Sequence, residues 1–188
     1  MADPPIIWFD RSPDSVVTDL ADGNTIFSWP TSTDPLEGID DADGLIAGAS
    51  IIYDQSVFVK APNLRVLTRA GIGFDNVVLE DATASGIAVC NTPDGPTIST
   101  AEHALALIFS VSKGLKQSEL RLRRQEGNYG PLHRALELDG ASLTLIGLGR
   151  IASRVAQIAT AVGMQVTAYD PFESDEHFET LGVERSID

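Results

Sequence analysis

Two glycines and an aspartate have the types and spacing of a site for a nucleotide diphosphate. In LTLIGLGRIASRVAQIA an apolar run leads straight into Gly147-x-Gly149-x-x-Ala152, and Asp170 ends the next apolar run 23 residues after Gly147. Within a unit of strand, turn, helix and second strand, the first glycine permits the tight turn, and the second lets the backbone approach a pyrophosphate. The small third residue keeps the helix close to the strand. The spacing therefore predicts a dinucleotide-binding turn.

The same segment predicts which groups hold the ligand. The backbone N–H groups of Arg150 and Ile151, at the start of the predicted helix, would hold the phosphates with the helix dipole in support. The Asp170 carboxylate would accept a hydrogen bond from an adenosine ribose 2′-hydroxyl and repel a 2′-phosphate, which favours NAD over NADP. Two alternatives stay open: Asp170 is an acidic strand end without a ligand, and Arg150 only covers the helix end.

A β-α-β rhythm fills the first half of the chain. Five short apolar runs, each bounded by Gly, Pro, Asn or Asp, predict buried strands, and three segments between them have a helical spacing of apolar residues. This alternation is typical of a mostly parallel sheet with helices on both faces. The predicted strands are PIIWF, NTIFSW, DGLIAGA, LRVLTRA and GIAVCN, and the predicted helices are SPDSVVTDLAD, YDQSVFVKAPN and DNVVLEDATASG.

A long helix is predicted after the turn-forming sequence PDGP. Ser99 and Glu102 have the S-x-x-E spacing of a capping box, in which the hydroxyl accepts from the Glu102 amide and the carboxylate reaches back. The polar stretch RLRRQEGNYGPLHRALELDG then predicts a connector with solvated arginines. One face of this Ser99 helix is largely apolar and consists of Leu105, Ile108, Phe109, Ser112 and Leu115.

Composition and charge argue against several classes of partner. The net charge of −14 repels phosphate backbones and anionic lipid, and no apolar run has the length of a membrane-spanning helix. Neither nucleic acid nor a membrane is therefore expected as a partner. The start MADPPIIWFD has no basic leader, which together with the single cysteine predicts a cytoplasmic protein. Cys90 is predicted to be a buried packing residue, and no set of metal ligands is expected.

Two stretches together resemble the D-isomer-specific 2-hydroxyacid dehydrogenases, the family that includes phosphoglycerate dehydrogenase. They are RAGIGFDNVVLEDATASGIAVCNTPDGPTISTAEHALALI and LTLIGLGRIASRVAQIATAVGMQVTAYDPF, in the family's order and spacing. The resemblance implies an α/β protein with a flavodoxin-like parallel-sheet substrate domain over residues 1–97. The first part of a Rossmann NAD-binding domain would follow over residues 98–188. The implied reaction is hydride transfer between a 2-hydroxy acid and NAD.

The resemblance also implies a substrate loop and a partner subunit. The loop of Arg69, Ala70, Gly71, Ile72 and Gly73 would present backbone N–H groups to the substrate carboxylate, which suits a glycine-rich strand end. For Arg69, a structural salt bridge is an equal alternative. The family's helix that matches Thr97 to Leu115 packs against a second subunit, so a homodimer through the Ser99 helix is implied. Relatives acting on phosphorylated acids carry an Arg-Ser pair where this chain has Gly48-Ala49-Ser50, which argues against phosphoglycerate as the substrate.

No catalytic residue is assigned in this chain. The family's catalytic Arg, Glu and His all fall beyond the second strand of the NAD-binding domain, past residue 188. His103 matches a structural histidine of the family, and it lies in the first turn of the predicted helix. His133 and His177 lie in polar segments and are expected at the surface.

A second half of the nucleotide domain is expected outside these residues. After Gly140 the chain supplies one β-α-β unit where a dinucleotide domain needs two, and the apolar strand LTLIG has one flank without an obvious partner. We therefore expect a truncated chain that is inactive alone: a fragment of a longer dehydrogenase, one piece of a split protein, or a short gene product. The alternative function is a non-catalytic, NAD-sensing module of corepressor type.

Overall fold

Strands and helices alternate through the residues that the computed structural model describes, which are 3–19, 23–127, 130 and 133–187. The chain divides into two compact units, Met1–Gly95 and Pro96–Asp188. Both units contain parallel sheets, so the predicted α/β class is confirmed. Among the described residues no helix has the length and apolar character needed to cross a membrane.

The first unit is built on a five-stranded parallel sheet with the order β2-β1-β3-β4-β5. This is the strand order of flavodoxin-like doubly wound folds, in which ligands bind where the order reverses, between β1 and β3. All five predicted strands are confirmed. They are β1 (Ile6–Phe9), β2 (Ile26–Ser28), β3 (Gly44–Ala47), β4 (Val66–Arg69) and β5 (Ala88–Asn91).

The helices of this unit are shorter than their sequence patterns. They are α1 (Ser15–Asp19), α2 (Gln55–Phe58) and α3 (Leu79–Ala84); residues 20–22 of the first predicted helix lie outside the described residues. The single turn of α2 follows the N-cap Asp54, whose side chain accepts from the Ser56 amide. It cannot extend far because Pro62 lacks an N–H group and restricts the residue before it.

The core of the first unit lies around its central strands. Trp8, Leu45 and Leu67 on β1, β3 and β4 are almost completely buried, as expected for strands covered on both faces. The indole N–H of Trp8 donates to the Glu37 carbonyl at 2.9 Å, so this large side chain is buried with its polar atom satisfied.

Cys90 is exposed, and the prediction that it packs in the core is wrong. It lies on β5, which is an edge strand of the sheet. Successive side chains of a strand point to opposite faces, and it is Val89 that packs against the core. Cys90 shares the exposed face with Ala88.

The second unit carries a three-stranded parallel sheet with the order β6-β7-β8. The apolar strand β6 therefore lies at an edge of this sheet. Its strands are β6 (Ser142–Ile146), β7 (Gln165–Tyr169) and β8 (Glu184–Arg185). The helices whose two ends both lie within the described residues are α4 (Thr97–Ser112), α5 (Leu115–Arg123), α6 (Arg150–Ala161) and α7 (Asp175–Leu181).

The predicted capping box at the start of α4 is wrong. The helix begins at Thr97, two residues before Ser99, with Pro96 at the N-cap. Ser99 lies within the first turn, and its hydroxyl donates to the Pro96 carbonyl at 3.2 Å. Proline suits this position because the N-cap amide makes no hydrogen bond within the helix, so its missing N–H group leaves no helical bond unmade. His103 consequently lies in the second turn and is exposed.

The long predicted helix is two helices, because Gly114 has a left-handed φ of +59° between α4 and α5. Within the unit, Ala101 and Leu105 of α4 pack against Val155 of α6. The segment predicted as a connector begins inside α5, where Arg123 pairs with Glu119 at 2.7 Å on an exposed surface. Residues 128–129 and 131–132 of that segment lie outside the described residues.

Candidate functional site

The glycine turn forms between β6 and α6, at the carboxyl end of the sheet. Gly147 has a φ of +89°, a conformation that residues with a Cβ rarely adopt. Its amide donates to the Tyr169 carbonyl at 2.7 Å, which ties the turn to the end of β7. The first hydrogen bond of α6 runs from the Ser153 amide to the Gly149 carbonyl at 2.8 Å. The amides of Arg150, Ile151 and Ala152 precede that bond, at the positive end of the helix dipole.

Gly149 is the N-cap of α6, and its own backbone does not require glycine. Its φ of −69° and ψ of −171° are open to any residue, and an added Cβ would meet nothing within 4 Å. Glycine at an N-cap also has no side chain to cap the first amides. The feature that glycine preserves here is open space in front of the helix end, which is the volume that a pyrophosphate needs. The residues present therefore fit a dinucleotide.

Side chains contact both the backbone amide and the backbone carbonyl of Leu148, the residue between the two glycines. The Leu148 amide donates to Asp170 Oδ2 at 2.7 Å. The Leu148 carbonyl accepts from the Ser153 hydroxyl at 2.8 Å and lies 3.2 Å from His177 Nε2. The Ser153 hydroxyl and His177 Nε2 are 3.0 Å apart. Asp170, Ser153 and His177 therefore hold the turn at Leu148, while Gly149 leaves space in front of α6.

His177 is half-buried, and the prediction that it lies at the surface is wrong. It is the third residue of α7, which folds back so that the ring reaches the glycine turn. Neither His177 nor Ser153 was assigned a role from the sequence, because they are 24 residues apart and no motif joins them. His133 is exposed as predicted, with its Nδ1 atom 3.0 Å from the Ser118 hydroxyl.

Asp170 follows β7 and accepts three backbone hydrogen bonds. Besides Leu148, the amides of Phe172 and Glu173 donate to its Oδ1 atom at 2.9 and 3.3 Å. Hydrogen bonds from Leu148 and Phe172 hold the pKa of the Asp170 carboxyl below its ordinary value. The group is therefore an ionised acceptor at neutral pH. A carboxylate has about four acceptor positions, so Oδ2 retains room for one more donor.

The predicted substrate loop follows β4, and part of its backbone is already paired. The Ala70 amide donates to the Ala47 carbonyl at 3.0 Å, and the Gly71 amide donates to the Arg69 carbonyl at 2.9 Å. Both amides are therefore turned toward the protein. Within the predicted loop, this narrows the candidate donors for a carboxylate to the amides of Ile72 and Gly73.

Arg69 hydrogen-bonds to neutral acceptors. Its Nε group donates to Asn76 Oδ1 at 3.0 Å, and its Nη1 group donates to the Ala70 carbonyl at 3.1 Å. Asn76 in turn donates to the carbonyls of Gly48 and Ile51 at 3.1 and 2.7 Å. Among the described residues no carboxylate pairs with Arg69, so the salt-bridge alternative is not seen there. The network instead fixes the loops after β3 and β4 beside each other.

A cavity of about 410 Å³ opens at the carboxyl ends of β1 and β3 and includes Ala70 of the substrate loop. Its charged lining residues are Asp10, Arg11 and Asp14, all in the segment that follows β1. The Gly48 amide donates to Asp10 Oδ2 at 2.6 Å, and a Cβ at position 48 would collide with that oxygen. Any larger residue at position 48 would require the carboxylate to move.

Comparison with known proteins decides the family. The family model for the D-isomer specific 2-hydroxyacid dehydrogenase catalytic domain matches residues 9–177. The chain belongs to the D-isomer-specific 2-hydroxyacid dehydrogenase family. The predicted family resemblance is thereby confirmed, as is the flavodoxin-like and Rossmann arrangement that it implied.

Curated relatives of this dehydrogenase-family chain are longer proteins. It is 38% identical over 141 residues to the D-3-phosphoglycerate dehydrogenase of Bacillus subtilis, covering 75% of this chain and 27% of that one. It is 39% identical over 154 residues to the Methanocaldococcus jannaschii enzyme of the same name, covering 82% of this chain and 29% of that one. The chain thus spans less than a third of the length of these two relatives.

Solved structures of similar fold match nearly the whole chain. A D-lactate dehydrogenase from Aquifex aeolicus, crystallised with NAD and lactic acid, has a TM-score of 0.78 at 26% identity. That match covers 97% of this chain and 56% of the other. The TT0316 protein from Thermus thermophilus has a TM-score of 0.84 at 26% identity, covering 96% of this chain and 59% of the other.

Proposed function

We propose that this chain carries the adenosine and pyrophosphate site and the substrate loop of a dehydrogenase that transfers hydride between a 2-hydroxy acid and NAD. The proposal depends on one arrangement. Gly149 leaves space in front of the N-terminus of α6, and the Asp170 carboxylate lies at the end of the neighbouring strand β7. The curated relatives reported above are dehydrogenases, which supports an enzyme over the corepressor alternative.

The residues of the second unit would each hold one part of the cofactor. The amides of Arg150 and Ile151 would donate to the pyrophosphate at the positive end of the helix dipole, with Gly147 and Gly149 leaving space. The Asp170 carboxylate would accept from the ribose 2′-hydroxyl. When bound, NAD supplies the nicotinamide that accepts hydride from the substrate carbon.

The residues of the first unit would hold the acid. The Ile72 and Gly73 amides would donate to its carboxylate, and the positive charge of Arg69 would attract the same group. Since the cavity beside β1 and β3 shares Ala70 with this loop, we propose that it receives the side chain of the acid. Two acids, Asp10 and Asp14, line this cavity against the single cation Arg11, which supports an acid without a phosphate at that end.

The proton transfer that accompanies hydride transfer is proposed to need groups outside residues 1–188. The resemblance places the Arg that binds the substrate and the Glu-supported His that moves the hydroxyl proton beyond this segment. We propose a substrate domain over residues 1–97 and an NAD-binding part over 98–188; the compact units divide between residues 95 and 96. A cytoplasmic location stays a prediction.

Binding and turnover of the 188-residue polypeptide test the proposal together. In an NMR titration we expect NAD to bind, weakly, and NADP to bind at least tenfold more weakly, because Asp170 repels a 2′-phosphate. With NAD and a panel of D-glycerate, D-lactate and D-3-phosphoglycerate, we expect no formation of NADH. Preference for NADP would contradict the cofactor assignment, and NADH formation would contradict the proposed need for outside groups.

A homodimer through α4 is the proposed assembly. Ile98, Leu107 and Val111 on this helix are 59%, 54% and 82% exposed, a large apolar surface for a solvated helix. Changing Val111 to lysine is expected to lower the sedimentation-derived mass from that of a dimer to that of a monomer. Changing Lys116 on α5 to glutamate serves as the control for altered charge. A monomeric unmodified chain, or a variant that remains dimeric, would contradict this interface.

A further inference from the structure

Arg185 lies behind the turn that presents Asp170. It is in the short strand β8, where Ala168 of β7 pairs with Arg185. The Ser186 amide donates to the Ala168 carbonyl at 2.8 Å, which fixes this register. This pairing places Arg185 beside the end of β7, opposite Ala168, which lies two residues before Asp170 in the chain. Nothing in the glycine motif requires an arginine at this place.

The guanidinium of Arg185 joins separate parts of that turn. Its Nη2 group donates to the Asp170 carbonyl at 2.8 Å and to the Glu173 carbonyl at 3.0 Å. Its Nη1 group pairs with the Asp175 carboxylate at the start of α7. The guanidinium carbon lies 4.7 Å above the ring centre of Phe178, which is buried. These contacts leave the guanidinium little freedom.

The same turn is held from inside by Asp170 itself. The amides of Phe172 and Glu173 donate to Asp170 Oδ1. At the two ends of this turn, the carbonyls of Asp170 and Glu173 both accept from Arg185 Nη2. One nitrogen that bonds to both carbonyls fixes their separation. The amides are therefore kept in place to hold Oδ1, which leaves Oδ2 directed toward Leu148 and the glycine turn.

We propose that Arg185 is a positioning residue for Asp170: it closes the turn of residues 170–173 so that the carboxylate meets the adenosine ribose in one orientation. The proposal rests on the proposed function, because it assumes that Asp170 receives the ribose hydroxyl. The role needs the planar fork of arginine, since a lysine ammonium cannot be matched to both carbonyls and Asp175 in the same geometry.

The test compares two ligands on the full 188-residue chain by NMR titration: ADP-ribose, and the same molecule without the 2′-hydroxyl of its adenosine ribose. We expect Arg185→Gln to weaken ADP-ribose about tenfold and to leave the deoxy ligand nearly unchanged, because only the first uses the positioned carboxylate. The Phe172 and Glu173 amide signals should also move in the free variant. Arg185→Lys should lose the same preference, and Arg123→Gln, on the exposed face of α5, should lose nothing.

Each other outcome overturns the proposal. Equal loss for both ligands would show that Arg185 only stabilises the fold. Rescue by lysine would show that charge alone is enough. Unchanged binding, or loss of folding in Arg185→Gln with normal discrimination in Arg185→Lys, would remove the role. If the unmodified chain bound neither ligand, the cofactor site of the proposed function would be refuted, and the role of Arg185 with it. Binding both ligands equally would instead remove Asp170 as the ribose acceptor.

Discussion

Gly149→Ala is expected to weaken binding of ADP-ribose at least tenfold while leaving the stability of the fold almost unchanged. An added Cβ meets no atom of the protein within 4 Å, and the φ of −69° suits alanine. Alanine is a poorer N-cap than glycine but reduces the entropy of the unfolded chain, so the two effects offset to within about 1 kcal/mol. The methyl group would occupy the space that the pyrophosphate needs. NMR titration and thermal unfolding measure the two effects separately.

Gly147→Ala is the matched control for that substitution. It also adds one methyl group to the turn without a close neighbour, but at a φ of +89°. We expect it to lower the free energy of unfolding by about 1–3 kcal/mol because of backbone strain. If Gly149→Ala bound ADP-ribose normally, the open space before α6 would have no role in binding. If it unfolded as readily as Gly147→Ala, the glycine would be structural.

Asp170→Ala is expected to weaken NAD binding by about tenfold to a hundredfold and to leave NADP binding unchanged or improved. The ionised carboxylate accepts a hydrogen bond from the ribose of NAD, whereas it repels the phosphate that NADP carries at the same position. The substitution also removes the acceptor for three amides, so both ligands share any loss that comes from a disordered turn. The ratio of the two affinities isolates the ribose contact.

Glu179→Ala is the control for the change of charge. Glu179 is an exposed acid on α7, in the same unit. Its loss should change the affinities for NAD and NADP only slightly, because salt screens the charge of a distant exposed side chain. Equal weakening of NAD and NADP by Asp170→Ala would mean that the carboxylate only braces the turn. The preference for NAD would then need another source.

The strands and the glycine turn could be predicted because their signals are local. Apolar runs between glycine, proline, asparagine and aspartate mark β1 to β5, and two glycines with a distant acid mark the turn before α6. The same local reasoning placed the start of α4 at Ser99, but the helix begins earlier, at Thr97, with Pro96 as its N-cap. A strong local pattern thus locates an element better than it locates its ends.

The side chains that brace the site could not be predicted because they are distant in the chain. His177 reaches the Leu148 carbonyl across 29 residues, and Arg185 reaches the Asp170 carbonyl across 15. Their contacts depend on how α7 folds back and on the register of β8, which no spacing rule encodes. For a similar reason the exposure of Cys90 was missed, since an apolar run does not show which face of an edge strand is covered.

A titration of the 15N-labelled 188-residue chain with ADP-ribose tests the central claim most directly. We predict saturable shifts of the Arg150 and Ile151 amide signals, together with those of Phe172 and Glu173 next to the Asp170 carboxylate. The first pair would report the pyrophosphate and the second pair the ribose. Shifts confined to other residues, or no saturable shift at these four amides, would contradict a dinucleotide site at the start of α6.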